Sequence, residues 1–204
     1  MDCAVSHRRN PYARADARTL EAKAKGYPAR SVFKLEEIDR RLRLLASGQH
    51  VLDLGAAPGS WSLYAAERVG ARGRVLSIDL SHIQQAFPEN VRVIQGDALD
   101  LANDALSAFA PYDVVLSDMA PSTSGNKVRD QTQSFELFMR GLEVAVALGK
   151  PGSAYVGKLF MSGDFQAARA AVKAHYEKEQ TIRPSGTRSV SSEVFLVGLR
   201  LRSP

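Results

Sequence analysis

The sequence predicts an α/β fold: a mostly parallel sheet with helices on both faces. Three observations point there. From Val51 onward, short apolar runs rich in β-branched residues alternate with segments of helical period, the pattern of strands joined by crossover helices. These runs read as buried strands, the kind that parallel sheets covered on both faces contain. The first of them ends in a glycine-rich turn that opens a helix.

Taken in order, a helix is expected over Ser31–Leu45, where Val32, Leu35, Ile38, Leu42 and Leu45 form one apolar stripe and Gly48 follows as a stop. His50–Gly55 reads as the first buried strand. Arg74–Asp79, Val91–Gly96 and Tyr112–Asp118 read likewise, followed by Ser153–Leu159, a weaker strand near Gln180–Arg183, and Glu193–Arg200. Helices are expected over Ser60–Val69, Asp130–Leu148 and Asp164–Glu179. Right-handed crossovers place the strand C-termini on one rim, where ligands bind in such sheets.

The 204 residues suffice for one domain of ordinary size. No apolar run reaches the length of a membrane span, and the N-terminus lacks the apolar segment of a signal peptide. A single cysteine, Cys3, excludes an internal disulfide and a cysteine-rich zinc site, and fits a cytoplasmic protein. The four histidines (His7, His50, His82, His175) are scattered without metal-ligand spacing, so no metal is expected. The net charge of +5 is unevenly placed: Met1–Lys34 holds 8 Lys+Arg against 3 Asp+Glu, and the remainder is balanced. A basic N-terminal extension over residues 1–28, ahead of a catalytic domain over 29–204, suits a polyanionic partner; a solvated tail is the plainer alternative.

The most informative motif is Asp53-Leu54-Gly55-Ala56-Ala57-Pro58-Gly59-Ser60-Trp61. Small residues let a ligand approach the backbone, and the helix behind presents free N–H groups to an anionic group. A dinucleotide site would need G-x-G-x-x-G, whose two later glycines are missing here. The arrangement D-x-G-x-x-P-G resembles the turn of S-adenosylmethionine methyltransferases, in which the anionic group is the methionine carboxylate. Asp79 ends the second strand and can accept from ribose hydroxyls. Asp97, after the third, can receive the adenine amine; a turn or capping aspartate is the alternative for either. Trp61, the single tryptophan, either lines the pocket or packs in the core.

Four charged residues fall at element ends near the same rim: Lys34 on the first helix, Asp118 in Ser117–Pro121, Lys158 in Val156–Phe160 and Glu193 in Ser191–Phe195. Ionic side chains among apolar neighbours are rarely buried unless paired. Glu193 reaches this rim only if its strand runs antiparallel to its neighbours. A purely structural ion-pair network is the competing reading.

With these motifs in hand, the chain resembles the RrmJ/FtsJ family of RNA ribose 2′-O-methyltransferases. The resemblance rests on R-S-V-F-K-L (Arg30–Leu35), D-L-G-A-A-P-G-x-W (Asp53–Trp61), S-D-M-A-P (Ser117–Pro121), G-K-L-F (Gly157–Phe160) and R-x-x-S-x-E-V-F (Arg188–Phe195), in family order. It implies a Rossmann-like methyltransferase fold with seven strands, the last antiparallel. It implies a catalytic set of Lys34, Asp118, Lys158 and Glu193, with S-adenosylmethionine held by Gly59, Trp61, Asp79, Asp97 and Asp118. The expected target is a uridine of large-subunit ribosomal RNA, and a monomer is expected; a transfer-RNA or cap ribose, or a non-catalytic RNA-binding subunit keeping the fold, are the rivals. Ser60 departs from the usual glycine, Ser122 stands where asparagine often follows M-A-P, and Ser81-His82 replaces an apolar pair and proline.

A ribose hydroxyl is a weak acid, so in-line attack on a sulfonium methyl needs a base. Lys158 is the candidate. Burial and the cation of Lys34 favour its neutral amine, while Asp118 and Glu193 favour the ammonium, orient it and hold its proton after transfer.

Overall fold

The structure is a computed structural model that describes residues 17–122, 124–185 and 192–203. Its elements run α1 (Ala17–Ala24), α2 (Val32–Leu42), β1 (His50–Leu54), α3 (Ser60–Val69), β2 (Arg74–Asp79), β3 (Val91–Gln95), α4 (Asn103–Leu106), β4 (Tyr112–Ser117), α5 (Lys127–Leu148), β5 (Gly149–Phe160), α6 (Phe165–His175), β6 (Tyr176–Ile182) and β7 (Glu193–Leu201).

Seven strands form one sheet in the order β3-β2-β1-β4-β5-β7-β6. The five from β3 to β5 pair in parallel, and β7 is antiparallel to both β5 and β6. The direction expected for the last strand is therefore present. Strand order reverses between β1 and β4, which opens a crevice at their C-terminal ends.

Two apolar layers sandwich the sheet. Leu35 and Ile38 of α2 and Trp61, Ala65 and Val69 of α3 pack on Val51, Val75, Val114, Val156 and Phe195. On the other face Phe138, Leu142 and Ala145 of α5 and Ala168 and Val172 of α6 cover Leu52, Leu76, Val115, Leu159 and Leu196. Alternation along each strand sends neighbouring residues into opposite layers. The packing is close: a Cβ at Gly198 would stand 2.5 Å from the Tyr176 ring.

Several element boundaries differ from expectation: α5 begins at Lys127 rather than Asp130, and β5 at Gly149 rather than Ser153. Helix α2 ends at Leu42, not Leu45, because Arg43 takes a left-handed conformation at φ 54°. Leu44 and Leu45 are still buried, so their apolar character reports packing rather than helix. The segment expected as helix to Glu179 turns into a strand at Tyr176. Tyr176 and Ile182 are buried at either end of β6 with polar residues between; strand pairing with β7 overrides the helical propensity of Glu177, Lys178 and Glu179. Helices α1 and α4 went unanticipated. The basic residues Arg8, Arg9 and Arg14, together with His7, Cys3 and the motif residues Arg188 and Ser191, lie outside the described residues. No described helix is long and apolar enough to cross a membrane.

Candidate active site

At the crevice between β1 and β4 lies a cavity of about 410 Å³, within the range that holds small organic ligands. Its wall includes Gly55, Ala57, Asp79, Asp97, Asp118, Met119 and Lys158. Gly55 sits at φ +76°, and a Cβ there would stand 2.7 Å from the Met119 backbone nitrogen. Glycine is thus required both by the turn and by the close passage of the segment after β4.

Asp79 ends β2 beside this turn. One carboxylate oxygen accepts from the Ala57 N–H at 2.8 Å and the other from the Ser81 N–H at 2.7 Å. Asp79 therefore shapes the turn and also faces the cavity, each oxygen keeping a second lone pair. Asp97 accepts from the Leu99 N–H at 2.9 Å. The loop behind it is fastened from α5 by Arg140, which donates to the carbonyls of Ala98 and Leu101 at 3.0 and 2.9 Å. Nothing in the sequence pattern marked Arg140, because its two acceptors are main-chain atoms some 40 residues away.

Gly59 and Trp61 are not on the cavity wall. Gly59 takes φ +109°, and a Cβ there would meet Phe87 at 2.9 Å. Trp61 is buried: its ring packs on Phe195 with centroids 5.6 Å apart, and its indole N–H donates to the Ser31 carbonyl at 2.9 Å. Of the two readings left open for Trp61, the structure has core packing.

The four charged residues are brought together as two ion pairs. Lys158 is 2.9 Å from the Asp118 carboxylate and donates its hydrogen bond to the Asp118 carbonyl. Lys34 is 2.6 Å from Glu193 and lies over the Phe195 ring, 5.9 Å from its centroid. Lys158 is thus paired with Asp118, and Glu193 with Lys34, which comes down from α2. Sheet register explains the assembly. Lys158 lies opposite Phe195, and Phe160 opposite Glu193, so Lys158 and Glu193 share the face that α2 covers. Lys158 is 7 % exposed and Glu193 9 %, so each pair holds its charges largely out of water, where they interact strongly. Asp118 Oδ1 is buried, and the cation it faces is the Lys158 ammonium at 2.9 Å.

Beneath the turn lies Asp53, fully buried in β1. Its Oδ2 accepts from Ser62 at 2.6 Å, Ser62 in turn accepts from Ser77 at 2.8 Å, and Oδ1 has no partner. Burial pushes its carboxyl from the usual 3.8 up to about 7; the Ser62 hydrogen bond opposes this, and the charges of Asp118 and Asp79 add to it. The folded protein thus binds a proton at Asp53 over a pH range where the unfolded chain has released it. Stability from this group is full below about pH 4 and is lost as pH rises toward 7, by up to roughly 4 kcal/mol. Asp53→Asn is expected to flatten the decline in melting temperature between pH 4 and 7. Parallel declines in variant and wild type would show that Asp53 is ionised throughout.

The sequence matches the model of the family described as FtsJ-like methyltransferase over residues 27–201. It is 64% identical over 195 residues to the ribosomal RNA large subunit methyltransferase E of Sorangium cellulosum, covering 96% of this chain and 92% of that protein. The protein of the same name from Nitratidesulfovibrio vulgaris is 47% identical, with 90% and 92% covered. Among solved structures, a Plasmodium falciparum protein described as a ribosomal RNA methyltransferase superposes with a TM-score of 0.76 at 24% identity, covering 87% of this chain and all of that one. Human methyltransferase-like protein 13, solved with SAH, gives 0.57 at 16% identity, with 80% and 79% covered. At those identities the structural likeness speaks to the fold.

Proposed function

The chain belongs to the FtsJ-like methyltransferase family, and on that premise we propose that it transfers a methyl group from S-adenosylmethionine to a ribose 2′-hydroxyl of large-subunit ribosomal RNA, at a uridine. The observation that carries this reading is the placement of two largely buried ion pairs, Lys158–Asp118 on the wall of a cavity of nucleoside size and Lys34–Glu193 on the same sheet face. The names of the relatives supply the ribosomal target, and the resemblance supplies the uridine.

S-adenosylmethionine fits the residues present. Asp79 would take the ribose hydroxyls on its free lone pairs, Asp97 would receive the adenine amine, and Gly55 brings the turn backbone to the cavity wall. Asp118, on the cavity wall, would turn its negative charge toward the positively charged end. Gly59 shapes the turn from behind. Bound there, the cofactor supplies an electrophilic methyl group.

The chain's own residues do the rest. Lys158 accepts the proton of the ribose hydroxyl as the oxygen becomes a nucleophile. Asp118 fixes the Lys158 amine through its carbonyl and, after transfer, stabilises the ammonium through its carboxylate. Lys34, held by Glu193 and the Phe195 ring, lends positive charge where the hydroxyl loses its proton. Holding the hydroxyl in line contributes several kcal/mol by itself.

The test is transfer of labelled methyl to RNA followed by alkaline hydrolysis. A 2′-O-methyl group blocks cleavage at its own nucleotide, so label is expected in an alkali-resistant dinucleotide. Label in ordinary mononucleotides would mean base methylation and would overturn the reading.

Residues 1–28 are proposed as an RNA-contacting extension of a monomeric catalytic domain over 29–204. Arg8, Arg9, Arg14, Arg18, Lys23 and Lys25 of the extension, with Arg30 just beyond it, are the candidate phosphate contacts, which position RNA without reading its sequence. Removing residues 1–18 is expected to weaken RNA binding and leave cofactor affinity unchanged. Each lost contact lowers the slope of log affinity against log salt by about 0.7 to 0.9. An unchanged slope would make the extension a solvated tail.

A further inference from the structure

The segment that carries the chain into α2 is fastened to α3 at every second residue. The Tyr27 hydroxyl donates to Glu67 at 2.6 Å. The Ala29 N–H donates to the Ser60 hydroxyl at 2.8 Å, and that hydroxyl donates back to the Ala29 carbonyl at 3.1 Å. The Ser31 carbonyl accepts from the Trp61 indole at 2.9 Å. Ser60 and Trp61 are the first two residues of α3, directly after Gly59 of the cofactor turn. Three residues beyond Ser31 stands Lys34.

Ser60 is the central member of this set. It is 1 % exposed, and its single hydroxyl both accepts from the N–H and donates to the carbonyl of one residue, Ala29. Glycine, the usual residue here by the resemblance drawn from the sequence, has no atom that could do either. The bonds at the buried Ser60 hydroxyl are shielded from water, so the segment cannot exchange them for solvent without leaving α3.

We propose that Ser60 is a positioning residue: with Trp61 it ties the approach to α2 onto the cofactor turn and so fixes where Lys34 stands relative to Lys158. This rests on the assignment of Lys34 to the active site made above. A displacement of about 1 Å in a positioned group costs roughly a hundredfold in rate, so one hydroxyl can matter to chemistry without touching cofactor or RNA. The latch also links the basic extension to the cofactor turn through an unbroken run of residues 17–31.

Ser60→Ala is the direct test, measured as single-turnover methyl transfer at saturating S-adenosylmethionine and RNA. The rate is expected to fall roughly ten- to a hundredfold, while cofactor affinity measured by calorimetry stays within about twofold. Acrylamide quenching of Trp61, the single tryptophan, is expected to rise as the Ser31 contact loosens. A rate within about twofold of wild type overturns the proposal, as does a loss of cofactor affinity equal to the loss of rate, which would place Ser60 in the cofactor turn alone. If Ser60→Ala does not fold, Trp61→Phe keeps the ring against Phe195 and deletes the bond to Ser31; its rate is expected to fall several-fold, and a wild-type rate overturns the proposal. Lys34→Ala separates the two levels. If it is inactive while Ser60→Ala is unimpaired, only the latch fails. If Lys34→Ala is fully active, the assignment of Lys34 fails and the latch loses its purpose.

Discussion

Lys158→Ala is expected to abolish methyl transfer while leaving S-adenosylmethionine bound. A positioned general base contributes about 10²- to 10⁴-fold to proton transfer, and no other amine stands on the cavity wall among the described residues. Lys34 does not substitute for it, because it is engaged by Glu193 at 2.6 Å. Truncation leaves the Asp118 carboxylate without its cation, which destabilises the site. Asp118 is about one-fifth exposed, so water offsets much of that cost and the variant is expected to fold. Calorimetry shows whether the cofactor still binds, and single-turnover kinetics isolate the chemical step. A rate near wild type in folded Lys158→Ala would remove it as the base.

The second large effect is expected at Asp79. Both carboxylate oxygens hold backbone N–H groups of the turn region, and the ribose is proposed to bind the same group. Asp79→Ala therefore loosens the turn at Ala57 and deletes the ribose partner together. Hydrogen bonds to a charged group are worth about 1.5–3 kcal/mol each, so cofactor affinity is expected to fall roughly a hundredfold. Asp79→Asn keeps one acceptor and the side-chain shape, and an intermediate affinity is expected. If calorimetry finds wild-type affinity in Asp79→Ala, the ribose does not bind there.

The chemistry of this site was legible because it is written in local motifs. Gly55, Asp79, Asp97 and Asp118 each follow or end a strand, Lys158 stands two residues before the end of β5, and parallel strands deliver their C-terminal ends to one rim. Glu193 was placed by the same logic, run in reverse for an antiparallel strand. What escaped was whatever depends on contacts remote in sequence. The pairing of Lys34 with Glu193 follows from where α2 crosses the sheet, which no period in Ser31–Leu45 specifies. Asp53 reads as part of a ligand turn, yet its carboxyl is buried below that turn and bonded to Ser62. Trp61 is ambiguous in sequence because an indole packs equally well on a cofactor or on Phe195. Ser60 appears in sequence only as a missing glycine; its bonds to Ala29 are visible once α3 and the approach to α2 lie side by side. The boundary errors have the same origin. Tyr176 begins a strand because β7 offers Gly198 for its ring to cover, and Leu45 is buried by tertiary packing after the helix has ended.

The measurement that bears most directly on the central assignment is mass mapping of large-subunit ribosomal RNA from cells lacking this protein, with and without a copy restored. One uridine-containing fragment is expected to be lighter by a single methyl group in the deletion. Its mass should return with the wild-type protein and stay low with Lys158→Ala, and the restored nucleotide should carry the methyl on its ribose. Ribosomal RNA identical in both strains, or a missing methyl that maps to a base, would contradict the assignment.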